Sequence, residues 1–306
     1  AKQKFAPVSS SPSNLQTFKP SNLLNYRHVE NGDFVDYNRD PLLKQMYSRE
    51  GPALAVGDVN GDGLDDVYLG GASNQPKALF IQQKSGGFSE KIISTNGLEL
   101  AQEDMAAQFF DADGDQDLDL YVVTGGNEFQ TGSVELQDRF YRNDGKGMFT
   151  KEATLPNLTD NGACVTAGDF DRDGDLDLFV GSRMISGQYG LSPTSALLVN
   201  DGTGTFKVQT KRFLPTAELG MVTDARWVDL DGDGFPELVT AQDWGPITVF
   251  KNERGRKLTP APLPQSEGFW NRLHPADVDS DGDVDLIAGN LGLNNRLHAS
   301  PETPAE

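Results

Sequence analysis

The chain of 306 residues contains a single cysteine and three histidines. One cysteine, Cys164, excludes an internal disulfide, and its apolar surroundings suit a small core residue better than a nucleophile. His28, His274 and His298 belong to no evident constellation, which leaves few side chains for acid–base work near neutral pH. No run of 18 apolar residues occurs, so no apolar helix is expected to span a membrane. Helical periodicity is almost missing as well; Pro41 to Tyr47 suits one short helical turn. Basic residues are scarce, with 26 Lys and Arg against 46 acids and a net charge of −20. Without a basic stripe to meet a phosphate backbone, nucleic-acid binding is excluded. No secretory leader is visible, and a start at Ala1 suits a mature or trimmed chain.

What the chain does contain is one acidic nonamer written five times: DVNGDGLDD from Asp58, DADGDQDLD from Asp111, DFDRDGDLD from Asp169, DLDGDGFPE from Asp229 and DVDSDGDVD from Asp277. Half of all the acids lie in these nonamers. Carboxylates at alternating positions, with Gly near position six, let a tight loop surround one hard cation with oxygen, which is the chemistry of Ca²⁺. Positions one, three, five, seven (by its carbonyl) and nine then give about five sites. They are Asp58, Asn60, Asp62, Leu64 and Asp66; Asp111, Asp113, Asp115, Asp117 and Asp119; Asp169, Asp171, Asp173, Asp175 and Asp177; Asp229, Asp231, Asp233, Phe235 and Glu237; and Asp277, Asp279, Asp281, Asp283 and Asp285. The loops hold no His or Cys, which disfavours Zn²⁺. An EF-hand would need a Glu at position twelve. Leu69, Val122, Val180, Thr240 and Ala288 stand there instead, and such residues predict that a strand leaves the loop. Five Ca²⁺ ions would halve the net charge, so the excess acid is mostly ligand. Sites this numerous make sense where free Ca²⁺ is near millimolar, outside the cytoplasm.

The flanking text repeats too. An apolar segment precedes each nonamer (ALAVGDV, AAQFFDA, CVTAGDF, DARWVDL, HPADVD) and another follows (DDVYLGG, LDLYVVTGG, LDLFVGS, PELVTAQ, VDLIAGN). Four copies add a third strand (KALFIQQ, DRFYRND, SALLVND, ITVFKNE), then a turn and an apolar residue that opens a fourth, at Phe88, Phe149, Phe206 and Leu258. Loop starts are 53, 58, 60 and 48 residues apart. Four short strands in a unit of that length predict an all-β fold, a β-propeller with strand one at the axis. Residues 51–306 carry five recognisable repeats, the last truncated after its second strand and a stub at Pro301 to Glu306. Residues 1–50 form an extended N-terminal segment.

The nonamer followed by Gly70, Gly71 and Ala72 resembles the FG-GAP repeat of integrin-α propellers in its VCBS-type bacterial form. The stretches GPALAVGDVNGDGLDDVYLGGA, FFDADGDQDLDLYVVTGGNE, DRFYRNDGKGMF, DFDRDGDLDLFVGSR, LGMVTDARWVDLDGDG and GNLGLNNRLHAS are similar to propellers of Bacteroidetes cell-surface proteins related to the ASPIC and UnbV (cartilage acidic protein-like) family. The resemblance runs from about Tyr26 to Ser300, although no ASPIC and UnbV module follows. It implies a secreted or outer-membrane-associated location, with signal or anchor not in this chain. It also implies a ring of six or seven blades, so either the chain is a piece of a longer protein or residues 1–50 add strands to the ring.

In such a blade the loops opposite the calcium carry the unusual residues: Asn127 and Glu128; Arg183 and Tyr189; Asp243 and Trp244; Trp270, Asn271 and Arg272; Asn290, Asn294 and Asn295. Loops on a rigid scaffold are the usual carriers of binding, and aromatic faces among Asn, Arg and acids suit sugar rings or a protein surface. Arg183, Tyr189, Trp244, Trp270 and Asn290 are the candidate ligand contacts. Taken singly, each could equally fill a gap between blades or cap a turn. Three function classes follow: a non-catalytic, calcium-stabilised module that binds a protein partner or glycan at the cell surface; a polysaccharide-active enzyme of the lyase type; and a purely structural subunit of a surface assembly.

Overall fold

The computed structural model describes residues 26–30, 32–94 and 97–292. Four antiparallel meanders of four strands follow one another: β1 (Leu54–Gly57), β2 (Asp66–Leu69), β3 (Lys77–Gln82) and β4 (Phe88–Ser94); β5 (Glu103–Phe110), β6 (Asp119–Gly125), β7 (Arg139–Arg142) and β8 (Thr150–Lys151); β9 (Asn161–Gly168), β10 (Asp177–Met184), β11 (Ala196–Asn200) and β12 (Phe206–Val208); β13 (Met221–Val228), β14 (Glu237–Asp243), β15 (Thr248–Asn252) and β16 (Leu258–Pro262). A fifth sheet holds β17 (Trp270–Ala276) and β18 (Asp285–Asn290). Short helices α1 (Gly97–Ala101) and α2 (Thr210–Phe213) connect blades; neither is signalled by periodicity. Each nonamer starts directly after a first strand, and its ninth residue opens the second. The motif is therefore the turn between them.

The first strands β1, β5, β9, β13 and β17 lie side by side, and Pro52, Met105, Cys164, Arg226 and Arg272, one from each blade, line a common cavity between them. This is an all-β propeller. Strands β6, β10 and β14 are buried at every position, because each is covered on both faces by a neighbouring blade. Apolar seams fill the gaps: Phe110, Phe140 and Phe206 between the second and third blades, and Phe170, Phe179 and Phe250 between the third and fourth. The terminal blades show the alternation of a one-sided sheet. Leu54 and Val56 on β1 and Ile287 on β18 are exposed. Ring closure is not seen among the described residues.

The described residues between 26 and 50 contain two single 3₁₀ turns, Asp36–Asn38 and Tyr47–Arg49, and no strand. Tyr26 packs edge-on against Phe80 and donates its hydroxyl to the Gly70 carbonyl at 2.8 Å, which covers part of the outer face of the first blade. Leu43 and Tyr47 are buried against Met184 and Tyr189, so this segment crosses the rim opposite the nonamers. The stub Pro301–Glu306 lies outside the described residues.

A polar bridge recurs at the seams. In the second, third and fourth blades the Asn at the end of the third strand donates its amide to the carbonyl of nonamer position two in the preceding blade: Asn143 to Val59, Asn200 to Ala112 and Asn252 to Phe170, each at 2.7 Å. The same amides reach the residue before position nine of their own blade, Leu118, Leu176 and Pro236. The first blade has Gln82 at the equivalent place. Replacing Asn200 with Ala would strip two buried carbonyls of their donor, at about 1–3 kcal/mol. We expect urea melts in saturating Ca²⁺ to show that loss for Asn200→Ala, and a change within about 0.5 kcal/mol for Gln82→Ala. Equal effects in the two variants would remove the bridge's special role.

Candidate metal centres and the opposite rim

The nonamer backbone is organised before any ion is considered. Position one accepts the N–H of position six: Gly63 to Asp58 (2.7 Å), Gln116 to Asp111 (2.9 Å), Gly174 to Asp169 (3.2 Å), Gly234 to Asp229 (2.9 Å) and Gly282 to Asp277 (3.2 Å). Position five accepts the N–H of position seven in every copy, at 2.9–3.0 Å, from Leu64, Asp117, Asp175, Phe235 and Asp283. Position six has positive φ throughout, from 73° at Gln116 to 100° at Gly174; this left-handed conformation explains the preference for Gly there.

This wrapping gathers oxygen. Asp111, Asp113 and Asp115; Asp169, Asp171 and Asp177; Asp229, Asp231 and Glu237; and Asp277, Asp279 and Asp285 each offer atoms within 4.8 Å of one another. Two oxygens on one ion bound at 2.3–2.6 Å can be no more than roughly 5 Å apart, so the spacing fits Ca²⁺. In the first loop Asn60 brings an amide oxygen where the others have a carboxylate. Buried carboxylate oxygens of Asp113, Asp169, Asp171 and Asp177 have no hydrogen-bond partner. Burial, followed by the charges of Asp171, Asp173 and Asp169, pushes the Asp177 carboxyl up to about 8. Burial also lifts Asp119 to about 6, against N–H donors from Asn143 and Ala112. Carboxylate oxygens facing one another need a cation or a proton between them, and an all-oxygen set is compatible with a hard cation.

Position nine has a second task that its place in the motif does not reveal. Asp66, Asp119 and Glu237 each accept the N–H of position two and an N–H at the end of the third strand, from Gln82, Asn143 and Asn252. Asp177 accepts only the latter kind, from Asn200 at 2.9 Å, which leaves Oδ2 for a metal. The loops also touch the next blade. At Gly255 (φ 67°), in the hairpin after β15, a Cβ would lie 2.5 Å from the Asp171 Cα. Arg142 pairs with Asp113 in its own blade and donates to the Thr203 carbonyl of the next. An ion held here would brace a seam as well as a turn.

On the other rim the sequence candidates fall into two groups. Arg183 is buried, lies over the Tyr47 ring at 4.1 Å, and pairs with Glu50 and Asp243. Tyr47 and Lys44 also bond Asp243, at 2.7 and 2.5 Å. The N-terminal segment thus occupies this arginine. Tyr189 is half-buried, and the Trp244 indole N–H donates to its hydroxyl at 2.9 Å. Trp270 and Asn290 stand opposite each other across β17 and β18; the Trp270 indole N–H donates to the Ser266 carbonyl, and Asn290 is exposed. His28 bonds Glu30. Asn294, Asn295 and His298 lie outside the described residues.

Residues 58–122, 123–180 and 229–288, more than half of the chain, match the FG-GAP-like repeat. The chain belongs to the FG-GAP-like repeat family. Its repeats are similar in fold to the Dos1 propeller (9% identity, TM-score 0.46), with 79% of this chain and 55% of that one covered. Rhamnogalacturonan lyase PL11 of Bacillus licheniformis matches at 11% identity and TM-score 0.44, over 78% of this chain and 55% of that one. BBS1N, solved in complex with ARL6DN, matches at 12% identity and TM-score 0.34, over 79% and 90%. The FG-GAP-like chain spans about half the length of the first two.

With Kd near ~0.1 mM, ~1 mM Ca²⁺ would add about 1.4 kcal/mol at each site. Chelation should therefore lower the melting temperature by many degrees, and Asp171→Ala should cost more stability than Asn60→Ala. The pH dependence should change sign with the ion. Without Ca²⁺ the folded values of Asp177 and Asp119 lie above the ordinary carboxylate range, so the fold loses stability as pH rises through about 6 and about 8. With saturating Ca²⁺ the ionised form is the ligand, and acid should destabilise. Melts in EDTA and in Ca²⁺ across this range test it; parallel slopes would exclude Asp177 as a ligand.

Proposed function

We propose that this chain is a calcium-ordered, extracellular, non-catalytic binding module that offers the rim opposite its acidic loops to a protein partner or glycan. The observation that carries the reading is Trp244. This large aromatic is 46% exposed on a left-handed backbone (φ 61°), a conformation unfavourable for a bulky residue and tolerated where the surroundings impose it. Its ring meets Phe269 edge-on at 4.3 Å, its N–H is fixed by Tyr189, and the Lys44 ammonium lies 4.9 Å from the Phe269 ring. An indole held rigidly and half in solvent is a platform for a sugar ring or an apolar side chain.

The metal chemistry supports the extracellular setting. Sites of modest affinity on four or five turns stay filled only where calcium is abundant. The resemblance of the longer motifs to cell-surface proteins carrying an ASPIC and UnbV module agrees with that setting. Arg183 acts beneath this surface, holding Asp243 and Tyr47.

Binding should be measured on a glycan array and by co-purification from the cell surface, each with Ca²⁺ and with EDTA. Replacing Trp244 with Ala should weaken the captured partner by about 2 kcal/mol, roughly thirty-fold, while the calcium-dependent melt stays within a few degrees of the parent. A variant that folds and binds as tightly as the parent would put the interface elsewhere. One that unfolds would make Trp244 part of the core.

A further inference from the structure

β5 begins at Glu103 and β6 ends at Gly125, so the rim away from the nonamers brings Glu103 beside the turn Gly126–Asn127–Glu128. Glu103 is 1% exposed and Asn127 is fully buried. Both carboxylate oxygens of Glu103, both of Glu128, and Oδ1 of Asn127 are buried without a hydrogen-bond partner. Gly126 has φ 86°, and a Cβ there would sit within 2.7 Å of Oε2 of both glutamates. The two carboxylates therefore face each other in front of a residue that can carry no side chain.

The basic groups nearby are engaged elsewhere. Arg39 donates to the carbonyls of Asn127, Glu128 and Phe129 on the backbone of this turn. Lys77 donates to the carbonyls of Gln75, Leu100 and Gln102, and Arg139 pairs with Asp104. Asn127 spends its amide N–H on Asp40 at 3.2 Å. Burial and then the facing Glu128 hold the Glu103 carboxyl well above its ordinary range. Two buried carboxylates in contact cannot both stay ionised without a positive partner. A shared proton would satisfy two of the five acceptors. A cation that takes six to eight oxygens can use them all.

We propose that Glu103, Glu128 and Asn127 form a site for a hard divalent cation, Ca²⁺ by its donor chemistry, on the rim opposite the nonamers. The same turn holds Arg39 on its carbonyls and Asp40 on the Asn127 amide, and Asp40 in turn accepts the N–H groups of Gly187 and Tyr189. The ion would therefore fasten the N-terminal segment across the second and third blades.

The full chain, stripped of metal and dialysed against Ca²⁺, tests this by metal count and hydrogen exchange. Glu103→Gln should bind one Ca²⁺ fewer than the parent and lose the calcium-dependent protection of residues 36–40 and 126–129. Asp171→Ala should also bind one fewer yet keep that protection. A folded Glu103→Gln with an unchanged count overturns the proposal. Should that variant fail to fold, parent crystals soaked in Mn²⁺ decide. An anomalous peak between the two carboxylates supports the site, whereas peaks confined to the nonamers overturn it and leave the pair to a shared proton.

Discussion

Repulsion among carboxylates at the turns is the constraint on which the rest of the structure depends. Each nonamer bends its backbone so that side-chain oxygens converge, and the same bend aims the strands on either side. A loop that must concentrate negative charge to make a turn is stable only with a cation or a proton among its acids. The acidic composition, the calcium chemistry and the hairpin linking the first two strands of every blade are thus one feature seen at three scales. Position nine joins them. Its carboxylate is the last candidate ligand, the first residue of a strand, and an acceptor for the third strand's end.

Much of this was legible in the sequence because the information is local and repeated. Asp at alternating places, Gly at position six in four copies and apolar or β-branched residues at position twelve are short-range signals. They located the loops, and the boundaries of β2, β6, β10, β14 and β18 coincide with position nine. What the sequence hid is non-local. The Asn bridges join residues more than 80 positions apart, and the only trace is Asn recurring after three third strands, in RND, VND and KNE. Arg183 reads as a loop residue open to ligand. Its burial became visible only with Tyr47, Glu50 and Asp243 around it. Glu128 stood out only as a rim residue and Glu103 carries no motif; strand pairing brings them together.

The two rims differ in how they handle charge. On the nonamer side acids face acids, with arginine at the edges, Arg142 on Asp113 and Arg254 near Asp233. On the far side Arg183, Lys44, Asp243 and Glu50 neutralise one another beneath a segment that contributes its own tyrosine, so the charge around Arg183 is buried in pairs. The desolvation cost of such buried pairs offsets much of their attraction, whereas removing one partner would leave an uncompensated buried charge. The pairs fix where residues 36–50 lie, and with them the surroundings of Tyr189 and Trp244.

The Asn bridge is also vectorial. Its donor always belongs to the later blade and its acceptor to the earlier one, so the array has a polarity that its near-symmetric blades conceal. At the trailing end, position two is Val278, and its side chain is 60% exposed. By the same rule a third strand of the fifth blade ending in Asn would reach the Leu230 carbonyl, and one of a further blade that of Val278. At the leading end Gln82 has one methylene more than the Asn of the other seams, so a blade placed before it would face a different donor. Lengthening such an array is therefore easier in one direction, much as a zipper closes from one end.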